Sequence, residues 1–191
     1  MATEVEIKLK LSIPIEAIRE KLKGLGAKLI KSRHFEDNIL FDTEGYHLRS
    51  KGQLLRVRNI GSGGKITFKG AQESSTKHKV RFEIESPVED PAAIVSIFEK
   101  IGLRRTFRYQ KYRESFHLQS CTVELDETPI GNYIEIEGPP DAIDQLALVL
   151  GYSEADYIVA SYAGLFYREC RESGRNPATG MVFKKSPEVS P

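Results

Sequence analysis

The opening segment of the chain constrains its fold more than any other feature. From Thr3 to Leu11 the residues alternate strictly, with Glu4, Glu6, Lys8 and Lys10 on one side and Val5, Ile7, Leu9 and Leu11 on the other. A period of two is that of an extended strand with one charged and one apolar face. Strand-like segments recur at Leu29 to Phe41, Leu54 to Asn59, Lys65 to Lys69, Lys79 to Glu85, Arg104 to Leu118, Cys121 to Glu127 and Tyr133 to Gly138. The stretch Ile60-Gly61-Ser62-Gly63-Gly64 reads as a hairpin turn between two of them. It lacks the Gly and Ser/Thr placement of a P-loop and joins two strands rather than a strand and a helix.

Four helices punctuate these strands. One follows Pro14 and stops near Gly24 and Gly26, with Ile18, Leu22 and Leu25 as its apolar stripe. Asp90-Pro91 opens a second that Gly102 stops, Pro139-Pro140-Asp141 opens a third ending at Gly151, and Asp156 to about Glu172 forms a fourth. Strands grouped together rather than alternating with helices predict an α+β fold with an antiparallel sheet. Residues 1–172 form one domain, and the Gly-, Pro-, Ser- and Lys-rich segment 173–191 is expected to be a poorly packed tail.

The charged faces carry the functional argument. After Glu4, Glu6 and Lys8 come Arg56 and Arg58, then Thr67 and Lys69, then Arg81, Glu83 and Glu85. Lys111 and Arg113, Glu124 and Asp126, and Glu135 and Glu137 complete the series. Residues two apart on a strand point the same way, roughly 6.5 Å from each other. Amphipathic helices need the apolar faces to pack on, so a sheet that closes turns the charged faces inward. Unpaired buried ions cost several kcal/mol each, so such an interior needs compensating charge. Carboxylate pairs suit Mg²⁺ or Mn²⁺, while arginine grips phosphate bidentately and lysine acts as a point charge. A metal–triphosphate complex satisfies both sets.

Other classes of function find less support. With 28 basic against 27 acidic residues the net charge is +1, which gives no global reason to expect a nucleic-acid partner. No run approaches the ~18 apolar residues that span a membrane. Cys121 and Cys170 form neither a metal-ligand spacing nor a disulfide framework, which suits free thiols in the cytoplasm. His34, His47, His78 and His117 lack zinc-site spacing, and His34 and His78 are expected at the surface. Phe35, Phe41, Tyr46 and Tyr109 are expected to pack in the core or at its rim.

Glu4-Val5-Glu6-Ile7-Lys8 resembles the ExExK signature of the CYTH superfamily, the triphosphate tunnel metalloenzymes, which include class IV adenylyl cyclases, thiamine triphosphatases and inorganic tripolyphosphatases. The order that follows strengthens the resemblance: Leu55-Arg56-Val57-Arg58, Thr67-Phe68-Lys69-Gly70, Arg81-Phe82-Glu83, Lys111-Tyr112-Arg113, Asp126 and Gly131-Asn132-Tyr133-Ile134-Glu135-Ile136-Glu137. It implies a closed eight-stranded antiparallel β-barrel with helices outside. Glu4 and Glu6 match the family's metal-binding pair, and Glu135 and Glu137 the acidic pair across the tunnel. Asp126 matches an acid tied to a second metal or to nucleotide orientation. Arg56, Arg58, Lys69, Lys111 and Arg113 match phosphate-binding cations, to which Arg81 is added. Lys8 matches a residue that positions or activates the attacking group, and Glu83, Glu85 and Glu124 are tunnel acids without an assigned role. Mg²⁺ or Mn²⁺ is the implied cofactor and ATP or tripolyphosphate the implied small-molecule partner, with a homodimer left open. The strand-and-turn pattern leans towards the class IV cyclase-like branch. A triphosphatase is the alternative, and a non-catalytic polyphosphate-binding module a third reading.

Overall fold

The alternating segments become eight strands: β1 (Ala2–Lys10), β2 (Lys28–Asp42), β3 (Leu54–Asn59), β4 (Gly64–Gln72), β5 (Lys79–Val88), β6 (Arg104–Leu118), β7 (Cys121–Thr128) and β8 (Gly131–Glu137). This computed structural model describes residues 2–73 and 77–184. All pairings are antiparallel, in the order β1-β5-β4-β3-β2-β6-β7-β8, and β1 bonds both β5 and β8, so the sheet closes into a ring. β1 serves two neighbours by dividing its length: Ala2–Glu6 face β5, and Glu6–Lys10 face β8. The ring is not a regular barrel, because register shifts interrupt β2 against β6 at three places and β4 against β5 between Lys69 and Gln72.

Five helices surround it: α1 (Ile15–Gly24), α2 (His47–Ser50), α3 (Pro91–Lys100), α4 (Pro140–Leu150) and α5 (Tyr162–Ser173). The apolar stripes of α1 and α4 (Ile18, Leu22, Ile143, Leu146) bury against the outward residues Ile7, Leu9, Val123, Leu125, Ile134 and Ile136. α3, capped by Asp90 accepting from the Ala93 amide at 2.9 Å, lays Val95 against Phe41 and Val57. A side chain at Gly64 would collide with the Arg58 carbonyl and the Pro91 ring, so glycine is what lets α3 begin against the β3–β4 hairpin. α5 behaves differently. Its Tyr162 and Phe166 pack on Phe107, Tyr109 and Tyr133. Tyr109 and Tyr133 share the strand face of Lys111 and Glu135, so α5 closes one end of the ring interior.

The fourth helix begins at Tyr162 rather than near Asp156. Glu154–Asp156 is a single 3₁₀ turn, and Ile158 then bonds the Lys8 backbone in both directions (3.2 and 2.8 Å), covering the edge of β1 that β5 leaves free. The short α2 had no periodic signal. It forms because the Asp42 carboxylate accepts the Thr43, Leu48 and Arg49 amides.

Part of the segment after Ser173, expected to be a poorly packed tail, packs on the ring. β7 covers β6 only from Tyr112 onward, and Met181 fills the free edge ahead of it. The Gln110 amide donates to the Met181 carbonyl at 2.8 Å, and the Met181 amide to Arg108 at 3.0 Å. The Met181 side chain is fully buried, and the Phe183 ring lies tilted 5.5 Å from that of Tyr112. The remainder of the expected tail, 185–191, lies outside the described residues. Truncation after Ser173 is expected to cost about 2–5 kcal/mol, the range for deleting a buried methionine side chain, read as a lowered urea midpoint. An unchanged midpoint would show that the strand edge stands without its cover.

Candidate active site

Strand register places opposite charges opposite one another inside the ring. Glu6 faces Lys79 on β5, Lys8 faces Glu135 on β8, Lys69 faces Glu83, and Arg113 faces Asp126. The side chains complete these pairs. Lys8 Nζ lies 2.7 Å from Glu135 and 4.5 Å from the centre of the Tyr162 ring. Lys69 joins Glu4 and, at 2.6 Å, Glu83; Lys79 joins Glu6. Arg113 binds Glu124, Glu135 and both oxygens of Asp126. Arg58 lies 3.1 Å from Glu36 and donates to Asn38 Oδ1 at 3.1 Å. Arg56 donates to Tyr109 Oη and Thr67 Oγ1, each at 3.1 Å. The charged residues line a cavity of about 250 Å³, with nine lysines and arginines against seven glutamates.

The sequence profile of the CYTH domain family matches residues 2–162, which takes in the whole ring and the start of α5. The chain belongs to the CYTH domain family. A provisionally named adenylate cyclase of Methanocaldococcus jannaschii, MJ0240, is 30% identical over 148 residues, covering 77% of this chain and 83% of that protein. The structure of PH1012 from Pyrococcus horikoshii superposes with a TM-score of 0.70 at 26% identity, covering 83% of this chain and 96% of that one. A Hippeastrum protein, provisionally named an adenylyl cyclase and described as having a dominant triphosphatase activity, shares the fold with a TM-score of 0.63 at 20% identity, over 91% and 97% of the two chains.

Within this CYTH domain most of the charged residues picked out by alternation meet in one cavity: Glu4, Glu6, Lys8, Arg56, Arg58, Lys69, Lys111, Arg113, Glu135 and Glu137, with Glu83, Glu85 and Glu124 in the same wall. Two of the expected site residues also have structural partners. Asp126, read as metal-linked, is fully buried and its oxygens are taken by Lys111 (2.9 Å), Arg113 and the Tyr162 hydroxyl (2.6 Å). It anchors cations instead of facing the cavity. Arg81, read as a phosphate ligand, lines the cavity and donates through Nε to the Gly70 carbonyl (2.8 Å) and through Nη2 to the Gly52 carbonyl (2.6 Å), fastening the loop before β3.

Sequence reasoning missed Lys79, Glu36, Asn38, Tyr109 and Tyr162 as members of this network. Lys79 was legible, since it shares the face of Arg81 and Glu83. On β2 the inward series Glu36, Asn38, Leu40 holds one charged residue and ends on an apolar one, so it lacks the paired charges of the other strands. The structure places His34 beside Glu36 at 3.4 Å. His78 is buried, with Nε2 2.9 Å from Asp144 on α4, where a surface position was expected.

The acids divide by charge environment. Lys8 and Arg113 outweigh the burial of Glu135 and hold it well below the usual carboxylate range; Lys79 does the same for Glu6 to a smaller extent. Burial and the neighbouring Glu6 push Glu4 up to about 7 against the pull of Lys69. Burial, Glu124 and Glu6 push Glu137 up to about 7 as well against the pull of Lys69, and among the described residues it forms no direct ion pair. Glu6 and Glu137 are direct cross-strand neighbours, and Glu4 is two residues along on the same face. Among the described residues no three acidic, histidine or cysteine groups already converge tightly enough to hold a metal ion. The donor chemistry does fit one: three hard oxygen ligands share a wall whose negative charge is undercompensated.

A stability consequence follows for Glu4. Its folded pKa of about 7 exceeds the ordinary 4.5, so the native state binds the extra proton and stability is lost as pH rises from about 4.5 through 7. Glu4→Gln cannot ionise. It is expected to be more stable than the parent by about 1–2 kcal/mol at pH 8 in the presence of a chelator, and to gain nothing at pH 4.5. Urea denaturation at both values checks this. A variant less stable at pH 8 would mean that the Lys69 pair outweighs the repulsion.

Proposed function

We propose that the chain is a divalent-metal-dependent enzyme acting on triphosphates, and that its reaction is adenylyl cyclase chemistry. The ribose 3′-hydroxyl of ATP attacks the α-phosphorus, and pyrophosphate leaves. The observation that carries the triphosphate reading is the cavity lining: nine basic against seven acidic side chains, with one acid, Glu137, in no direct ion pair among the described residues. A wall with excess positive charge suits a polyphosphate, and an undercompensated carboxylate corner suits the cation that accompanies it. The similarity to a protein named as an adenylate cyclase favours the cyclase reaction over hydrolysis.

In this reading Glu4, Glu6 and Glu137 hold Mg²⁺ or Mn²⁺, which supplies positive charge to the phosphate oxygens. Arg56, Arg58, Lys69, Lys111 and Arg113 neutralise charge along the triphosphate. Asn38 and Glu36 keep the Arg58 guanidinium at a fixed angle, and Asp126 does the same for Lys111 and Arg113. Glu135 and Glu6 offset the burial of Lys8 and raise its pKa, so it works as a fixed cation and not as a base at neutral pH. Its ammonium, held between Glu135 and the Tyr162 ring, stabilises charge that develops near the attacking group.

The cationic lining does not by itself choose between the α- and the terminal phosphorus, so hydrolysis of a triphosphate is the second reading. An end-point assay with ATP or tripolyphosphate and Mg²⁺ or Mn²⁺, resolving cyclic AMP, pyrophosphate and orthophosphate, separates them. Cyclic AMP with equimolar pyrophosphate is the expected result. Orthophosphate without cyclic nucleotide would make the protein a triphosphatase, and binding without any product would leave a polyphosphate-binding module.

A further inference from the structure

One edge of β1 changes neighbours in the middle of the acidic corner. β5 leaves that edge at Glu6, whose cross-strand partner is Lys79, and two residues later Ile158 takes it over by bonding Lys8 in both directions. The side chains on either side of the changeover, Glu6 and Lys8, both face the charged cavity. The two segments that meet there are remote in sequence, and no backbone bond joins Lys79 to Ile158.

A carboxylate outside the ring ties them together. Asp144 Oδ1 lies 2.9 Å from His78 Nε2 and accepts the Tyr157 hydroxyl at 2.9 Å, while Oδ2 lies 2.8 Å from Lys77 Nζ. His78 directly precedes Lys79, and Tyr157 directly precedes Ile158. Lys77 also joins Glu154, in the 3₁₀ turn that Ser153 and Asp156 cap just ahead of Tyr157. The helix that carries this hub is well seated, since Ile143 and Ala147 on either side of Asp144 are fully buried. Against partial burial, bonds from Lys77, His78 and Tyr157 hold Asp144 below the ordinary carboxylate value, so it is an anion at neutral pH and its bonds are charge-assisted. Asp144 does not line the charged cavity. We infer that Asp144 is a positioning residue for the acidic corner: through His78 it sets Lys79 and hence Glu6, and through Tyr157 it sets Ile158 and hence the backbone of Lys8. This rests on the metal and triphosphate reading above and adds to it a group on an outer helix. Groups that orient a metal ligand without touching the metal cost about 10–100-fold in affinity or activity when removed.

Two measurements on the full chain test this: amide hydrogen exchange of the metal-free protein and Mn²⁺ binding by calorimetry, each in the parent, in Asp144→Ala and in Tyr157→Phe. The Ile158 amide, which donates to the Lys8 carbonyl, reports on the clamped edge, and the Met181 amide, which donates to Arg108 on a different edge, is the control. Asp144→Ala is expected to speed exchange at Ile158 about tenfold or more and to leave Met181 within about twofold. It is also expected to weaken Mn²⁺ binding about tenfold. Tyr157→Phe removes one hydroxyl and leaves His78 on Asp144. It is expected to speed exchange at Ile158 while keeping Mn²⁺ affinity within about twofold of the parent. An Ile158 amide unaffected in either variant, or Ile158 and Met181 accelerated alike, overturns the clamp. Faster exchange at Ile158 with parent-like Mn²⁺ affinity in Asp144→Ala overturns the positioning of Glu6 while the metal reading stands, and so does an equal loss of Mn²⁺ affinity in the two variants. A parent that binds no Mn²⁺ overturns the metal reading and this inference together.

Discussion

With the metal role proposed for Glu6, Glu6→Ala is expected to lose turnover by about a thousandfold, the equivalent of several kcal/mol of metal-borne charge stabilisation. Glu6 is the centre of the acidic corner: Glu137 lies directly across the β1–β8 seam and Glu4 two residues along. Alanine has a second effect that must be separated from the first. Lys79 is buried and spends its ammonium on Glu6, and breaking a buried pair costs about 3–5 kcal/mol. Glu6→Gln keeps a polar partner for Lys79 while removing the charge. The pair of variants therefore distinguishes loss of metal from loss of fold. Both should show a metal-activation curve displaced to much higher Mg²⁺, whereas only alanine should lower the urea midpoint strongly. Parent-like turnover of a folded Glu6→Ala protein at ordinary Mg²⁺ would remove these acids from any metal role.

Arg113→Leu is expected to produce the largest loss of stability among single substitutions in the ring. One guanidinium serves Glu124, Asp126 and Glu135, and its side chain is only 7% exposed. Removing it leaves the buried Asp126 and Glu135 and the half-buried Glu124 with Lys8 and Lys111 as the neighbouring cations, a cost of about 3–5 kcal/mol at neutral pH. The sign of the pH response is diagnostic. Without Arg113 the folded-state pKa values of Glu124 and Glu135 rise, so the native state takes up protons that the unfolded chain releases. The deficit should then shrink as pH falls. A deficit that stays constant with pH would assign the loss to packing rather than to charge.

How much of this was legible beforehand follows from what periodicity encodes. Alternation reports which face a residue occupies, so Glu4, Glu6, Arg56, Arg58, Glu135 and Glu137 could be placed in one interior before any coordinates. It does not report how many partners a buried charge acquires. Asp126 and Arg81 carry the same period-two signature as Glu6 and Lys69. Yet Asp126 is saturated by Lys111, Arg113 and Tyr162, and Arg81 is spent on two backbone carbonyls. Those differences depend on α5 and on the loop at Gly52, both remote in sequence from the strands concerned. Met181 was illegible for a similar reason. The Gly- and Pro-rich composition around it describes a loop correctly, but only the mismatch in length between β6 and β7 creates the bare edge that it covers.

The division of β1 between two neighbours has a kinetic side. Glu6 sits where the strand passes from β5 to β8, and β8 is the last strand of the chain to emerge. Pairing them closes the longest loop in the sheet, a contact of high sequence separation of the kind that slows folding. The acidic corner therefore comes into existence only at ring closure; an open sheet has no Glu6 opposite Glu137. A divalent ion that prefers the closed form should hold the seam shut and slow unfolding, with no matching acceleration of early strand pairing. Nascent or partly unfolded chains would then carry neither the metal corner nor the chemistry that depends on it.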